Sequence, residues 1–169
     1  MDKAQLSLDI RAGRYAGAQL TGADLSACDL SGANLAGARL SGANLAGANL
    51  RGANLREAFL DGANLKGADM SEADLEFAVL GAADVSNADF TCANLQRANL
   101  VGTKGHGAQF DGARMYYSRP GNADFRGASF AGADVRRAIF RRANLAGASF
   151  AGATGQANFE NANMEGVRR

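Results

Sequence analysis

From Leu20 onward a large apolar residue returns every five positions, and that spacing leaves few folds open. Of the 28 such centres up to residue 155, 25 are Leu, Met, Val or Phe; Gly105, Pro120 and Gly155 are the exceptions. Two residues before each centre stands Ala, again in 25 of 28 units, replaced by Cys28, Thr103 and Ser118. Asn or Asp usually separates the two, and the pair that follows is small or polar, often ending in Gly. A period of five is neither the 3.6 of a helix nor the 2 of a strand. Two inward residues flanking one outward residue describe a very short extended segment, and the remaining two residues must turn the chain. Four such sides closed into a square make a coil of about 20 residues, with stacked coils pairing at roughly 4.8 Å. An interior that narrow explains why one inward position tolerates little beyond Ala.

The composition fits an extended stack. A chain of 169 residues suits one domain, and its 47% hydrophobic content comes largely from Ala and Leu. Burial must therefore accumulate from small contacts repeated along an axis. No apolar run reaches the roughly 18–20 residues of a membrane span, so no membrane association is expected. The start, MDKAQLSLDIRAGRY, lacks the apolar region of a signal peptide, which points to a cytoplasmic protein. Two cysteines do not make a disulfide framework. Cys28 fills an Ala position, whereas Cys92 lies at a corner three coils away, so the two are expected to stay unpaired.

The repeat, A(N/D)LxG with its variants, as in GANLAGARLSGANLAGANLRGANLR, resembles the pentapeptide-repeat family over about 140 of the 169 residues. The match is specific because the register survives 28 units. The resemblance implies an all-β fold, a right-handed quadrilateral parallel β-helix of about seven coils, roughly 34 Å long at 4.8 Å per coil. Residues 1–15, where Leu6, Leu8 and Ile10 alternate, are assigned to an N-terminal cap, 16–155 to the β-helix, and 156–169 to a phase-shifted part-coil and tail. No amphipathic C-terminal helix of the kind that dimerises some family members is evident. Homodimerisation through an end or through an edge stays open.

If residue n stacks on residue n+20, whole columns can be read. Leu30, Leu50, Met70, Phe90, Phe110, Phe130 and Phe150 form one interior column that turns from aliphatic to aromatic. Outside, most corners are Gly, Ala or Ser, and one edge differs. It carries Arg56, Glu57 and Phe59, then Glu76, Phe77 and Val79, then Gln96, Arg97 and Asn99. Tyr116, Tyr117 and Arg119 follow, then Arg136, Arg137 and Ile139. The matching corner of the two earlier coils is bare, with Ala16, Gly17, Ala36 and Gly37. Stacked aromatic and Arg side chains are what protein interfaces favour. Arg56, Phe59, Phe77, Val79, Arg97, Tyr116, Tyr117, Arg119, Arg136, Arg137 and Ile139 are therefore the candidate partner-binding residues. The competing account is a shielded edge whose long side chains pair with one another, as Arg56 with Glu76.

Residues 101–122 hold the only His and Pro and two of the three Tyr, and Gly105 and Pro120 there are expected to remove inward side chains and form a local bulge. Lone His106 has no second His or Cys at ligand spacing, so neither a metal site nor any cofactor is expected. The GxG patterns are by-products of the repeat, and no nucleophile stands beside a base. The expectation is no enzyme.

The net charge of +1 conceals a banded rod. Residues 57–89 carry eight acids and one base, whereas residues 90–169 carry eleven bases and five acids. Some pentapeptide-repeat proteins bind bacterial DNA gyrase or topoisomerase IV, imitating duplex DNA with an acidic rod and protecting against quinolone-type inhibitors. Here only the middle coils have that charge. The leading expectation is a non-enzymatic protein-binding rod or adaptor with an unidentified protein partner, and DNA gyrase is the alternative. Direct nucleic-acid binding through Arg114, Arg119, Arg126, Arg136, Arg137, Arg141 and Arg142 ranks below both.

Overall fold

The computed structural model describes residues 3–13 and 15–169. The chain is a right-handed quadrilateral β-helix in which one-residue parallel bridges link n to n+20, from Gln19–Arg39 through Asp134–Thr154. Each side of the square is too short to form an ordinary strand, so pairing is carried by single residues stacked coil upon coil. Two main-chain bonds make each rung: Leu50 N–H donates to Asp69 O at 2.7 Å, and Asn49 N–H donates to Cys28 O at 2.9 Å. A third closes each corner, as Ala53 N–H donates to Leu50 O at 2.9 Å.

The five-residue pattern maps onto this geometry position by position. The centres and the Ala two residues earlier face inward and are fully buried through most of the rod. Burying each Leu contributes about 1.5–3 kcal/mol relative to leaving it in water. The Phe column stacks nearly face to face: Phe90–Phe110, Phe110–Phe130 and Phe130–Phe150 have centroids 4.9, 5.0 and 4.7 Å apart. Phe125 and Phe140 meet it edge-on.

The outward residue of each side is a capping device. Asn or Asp Oδ1 accepts the N–H two residues on, as from Ser31 to Asp29 at 3.1 Å and from Arg51 to Asn49 at 3.1 Å. The same residues bond along the axis, with Asn44 Nδ2 donating to Asp24 and Asn64 Nδ2 to Asn44, each at 3.1 Å. Side-chain capping thus fixes the turn and the stacking together.

Residues 101–122 correct the expected bulge. Their coil keeps the twenty-residue register on either side of Pro120, where only the Arg119–Ile139 bridge is missing. At Gly105 the missing side chain is replaced from the next coil, because the Phe125 ring lies where a Cβ on Gly105 would sit, 2.3 Å from that point. Pro120 is itself buried, contrary to expectation, and costs the ladder only its N–H. Thr103 restores polarity by donating to Leu80 O at 2.9 Å, whereas the buried Ser118 hydroxyl has no partner.

The two ends are built differently. Residues Lys3–Arg11 form helix α1, whose Leu6 and Ile10 lie one turn apart. The alternation of Leu6, Leu8 and Ile10 is not a strand pattern here: Ile10 is buried, Leu6 half-buried and Leu8 exposed. Lys3 and Arg11 tie α1 to Asp24 and Asp29 of the first coil. At the other end the register shortens to nineteen, with bridges Ile139–Asn158, Asn144–Asn163 and Ser149–Arg168. Residues 156–168 therefore form a paired coil, offset by the one-residue slip visible in the sequence at Gly155.

Two predictions follow from this architecture. Phe130→Ala removes the ring between Phe110 and Phe150 and is expected to cost about 3–5 kcal/mol in denaturant unfolding. The second concerns acid. Asp24, Asp29, Asp84, Asp124 and Asp134 all sit below the ordinary carboxylate value of 3.8. Side-chain bonds from Ser26 and Ser31 lead the causes at Asp24 and Asp29, and the Arg126 and Arg136 guanidiniums lead at Asp124 and Asp134. At Asp84 burial pushes upward but is outweighed by Ser86 and Lys66. A lowered folded pKa stabilises the fold above the unfolded value and loses that contribution as pH falls through the folded one. The thermal midpoint should be flat down to about pH 5 and decline below about pH 4. Replacing these aspartates by Asn, which keeps the Oδ1 acceptor, should flatten the decline.

Candidate functional site

Three faces of the square follow the Asn/Asp rule with few departures, such as Lys104, Gln109 and Arg114. The fourth face abandons it. Its outward column runs Gln19, Arg39, Phe59, Val79, Asn99, Arg119 and Ile139, stacked by successive bridges as far as Arg119. Only Asn99 in this column caps its turn, accepting from Val101 N–H at 3.1 Å. Phe59 and Ile139 remain 42% and 38% exposed, so the face has exchanged capping groups for apolar surface.

The corner leading into this face carries a second departure. The last corner residue has positive φ in every coil, the conformation that favours glycine, and Gly17 and Gly37 occupy it first. The next five coils place Glu57, Phe77, Arg97, Tyr117 and Arg137 there, at φ of 57°, 61°, 57°, 55° and 58°. No other corner lacks Gly over five consecutive coils. Left-handed backbone at a residue with a Cβ costs roughly 1–2 kcal/mol, so this column is held in place against a repeated local penalty. Strain of this kind concentrates where function requires a particular side chain.

The structure brings the sequence-predicted residues onto this one corner and face. Arg97 lies over the Phe77 ring at 5.3 Å, Arg136 over Tyr116 at 5.6 Å and Arg137 over Tyr117 at 5.3 Å. Arg137 also donates to the Tyr117 hydroxyl at 2.7 Å, and Tyr116 packs edge-on against Tyr117 at 4.5 Å. Each aromatic is thus roofed by an Arg, mostly from the next coil, which stiffens both side chains. Arg56 differs. It pairs with Glu76 and, at 3.3 Å, with Asp74, and both carboxylates raise its pKa. The self-paired account therefore describes Arg56, while Arg119 reaches no acid among the described residues.

Two members of this surface, Arg39 and Val101, escaped sequence reasoning, and Arg141 and Arg142 were expected only as nucleic-acid contacts. Arg39 lies over Phe59 at 5.7 Å, extending the face one coil earlier. Val101, at the corner that closes this face, is 38% exposed, and Arg141 and Arg142 occupy the same corner two coils on. The twenty-residue spacing from Phe59 back to Arg39 is legible in the sequence, but the bare Gly37 corner of the same coil masks it.

Among the described residues no group of His, Cys, Asp and Glu is arranged to hold a metal ion, and no helix is long and apolar enough to cross a membrane. Cys28 is buried and Cys92 exposed, and both thiols are free.

A family model described as pentapeptide repeats matches in overlapping copies that run from residue 18 to residue 154. The chain belongs to the pentapeptide-repeat family. Among solved structures it is similar to HetL, a pentapeptide repeat protein involved in heterocyst differentiation regulation from the cyanobacterium Nostoc sp. strain PCC 7120. The identity is 25% and the TM-score 0.71, over 99% of this chain and 94% of HetL. It is also similar to full-length QnrB1, a plasmid-mediated fluoroquinolone resistance protein, at 19% identity and TM-score 0.39, over 94% of this chain and 86% of QnrB1. A pentapeptide repeat protein from the Arabidopsis thaliana thylakoid lumen matches at 34% identity and TM-score 0.27, over 74% of this chain and 70% of its own. No curated protein matches.

If the left-handed column serves binding and not folding, Phe77→Gly and Tyr117→Gly should leave the unfolding free energy unchanged within about 1 kcal/mol, because relieved strain offsets lost ring contacts. Leu75→Ala, in the core of the same coil as Phe77, should cost about 2–5 kcal/mol. A comparable loss at Phe77 would show the column to be structural.

Proposed function

We propose that this pentapeptide-repeat protein is a non-enzymatic binding rod that presents the aromatic–Arg edge to a protein partner. The observation that carries this reading is the run of five bulky or charged residues in left-handed backbone at one corner, where glycine would serve the fold better. The binding residues are Phe59, Phe77, Val79, Arg97, Tyr116, Tyr117, Arg119, Arg136, Arg137 and Ile139, with Arg56 and Glu76 as a fixed ion pair at the margin. Pre-paired rings and guanidiniums suit a contact surface because little side-chain freedom is left to lose on association. The proposal places the rod in the cytoplasm. HetL, similar over nearly its whole length, is involved in a regulatory process, which accords with a role by contact.

The DNA gyrase reading draws less support. Within the acid-rich stretch Glu72, Asp74, Glu76 and Asp84 are engaged by Arg51, Arg56 and Lys66, and the coils that follow are basic. A duplex mimic needs uncompensated negative charge along most of its length.

The test is capture of partner proteins by the purified rod and by a Phe77→Ser/Tyr116→Ser/Tyr117→Ser variant. The variant should keep the circular dichroism of the wild type and lose capture; retention by a folded variant would sink the reading. A gyrase supercoiling assay run alongside should show neither inhibition nor quinolone protection. Either effect at low micromolar protein would favour the gyrase alternative.

A further inference from the structure

Pro120, the single proline of the chain, stands at a centre position of the face that carries Arg119. In preceding coils the residue at this centre donates across the ladder, Leu80 to Asn99 O at 2.7 Å and Leu100 to Arg119 O at 3.1 Å. Proline has no N–H, and no described residue donates to the Ile139 carbonyl that it faces. Residue 121 follows at the first corner position, where other coils carry Thr21, Ser41, Asp61, Val101 and Arg141. Gly121 lies outside the positive-φ region, so its backbone does not call for glycine. The absent side chain opens a cleft of about 170 Å³ lined by Val101, Arg119, Gly121, Asn122, Ile139, Arg141 and Arg142. A Cβ added at Gly121 would lie 3.4 Å from Arg141 O and 3.8 Å from Ile139 O, so a side chain there would occupy the cleft. Gly81 holds the same corner position forty residues earlier, but its rung is intact and Val79, not an arginine, holds the face position of its coil.

The chemistry of the cleft is one-sided. Arg141 reaches Glu160 at 3.4 Å, but Arg119 and Arg142 have no acidic partner among the described residues. Val101 and Ile139, each 38% exposed, supply aliphatic walls. A planar guanidinium recognises a carboxylate with two parallel hydrogen bonds, and a second one nearby strengthens the hold.

We infer that this cleft anchors an acidic, aliphatic segment of a partner polypeptide. A carboxylate side chain sits between Arg119 and Arg142, a neighbouring aliphatic side chain lies on Val101 and Ile139, and a main-chain N–H meets the unpaired Ile139 carbonyl. The inference rests on the edge being a protein-binding surface and adds the chemistry of one anchor. Nucleic acid fits less well, because the aliphatic walls of Val101 and Ile139 offer phosphates nothing.

The test uses the full chain and a short fluorescein-labelled peptide of alternating Glu and Val, followed by fluorescence anisotropy at low salt. A Lys–Val peptide and oligo(dT) serve as the other arms. Saturable binding of the Glu–Val peptide is expected, with little from the others. Arg119→Gln/Arg142→Gln and the plugging substitution Gly121→Val should each weaken it by about tenfold or more. Gln109→Ala, an exposed position on a different face of the rod, should leave it unchanged. The arginine pair is exposed, so that variant tests the site even if Gly121→Val disturbs the coil. Absence of saturable binding, insensitivity to the arginine substitutions, or equal binding of oligo(dT) would overturn the inference. Equal loss with Gln109→Ala would overturn it too, because the peptide would then not be held in the cleft. Peptide binding that persists in a rod which captures no partner would instead retire the wider edge reading.

Discussion

Room for one methyl group at the inner position of each side is the constraint on which this fold depends. The square closes because two inward residues per side share a very narrow interior, one as Ala and one as a larger centre. Any enlargement at the Ala position must be absorbed locally: Thr103 is accommodated by bonding Leu80 O, and Ser118 leaves a hydroxyl unpaired. Because each coil touches only its neighbours, such compensations travel at most one coil. Gly105 and Phe125 show the reach, a vacancy in one coil filled by a ring from the next.

With the core so tightly specified, variation is confined to the outward residue of each side and to the corners. Three faces spend that freedom on Asn and Asp ladders that cap turns and bond along the axis. The fourth face and the corner before it forgo both capping and glycine in order to carry Phe, Tyr, Val, Ile and Arg. The interior would fold equally well under a bare corner, as the coils with Gly17 and Gly37 demonstrate. What distinguishes the later coils is therefore a requirement of the outer surface.

The five-residue period was sufficient to read the fold, because it fixes at once which residues face inward and where the chain turns. The stripe was legible for the same reason: residues twenty apart must stack. What the period could not convey was conformation at the irregular units. Pro120 and Gly105 break the pattern as letters, yet backbone pairing on either side holds the coil in register and neighbours fill the space. Nor could it show that Arg39 and Arg97 lie over rings, or that Lys3–Arg11 wind into a helix, since three alternating apolar positions fit a strand as readily. The Pro120–Gly121 cleft was invisible for a related reason, being defined by an absent N–H and an absent side chain.

The regularity of the left-handed column has a consequence for whatever lies against it. Its side chains emerge once per coil, at the roughly 4.8 Å repeat that also separates neighbouring strands in any β-sheet. A sheet laid with its strands along the coils would meet the column in step over its whole length. A helix laid along the rod axis repeats every 5.4 Å and would drift by about 0.6 Å per coil, half a repeat lost over the five occupied coils. The edge is thus a ruler with fixed graduations, commensurate with one kind of secondary structure and slowly out of phase with the other.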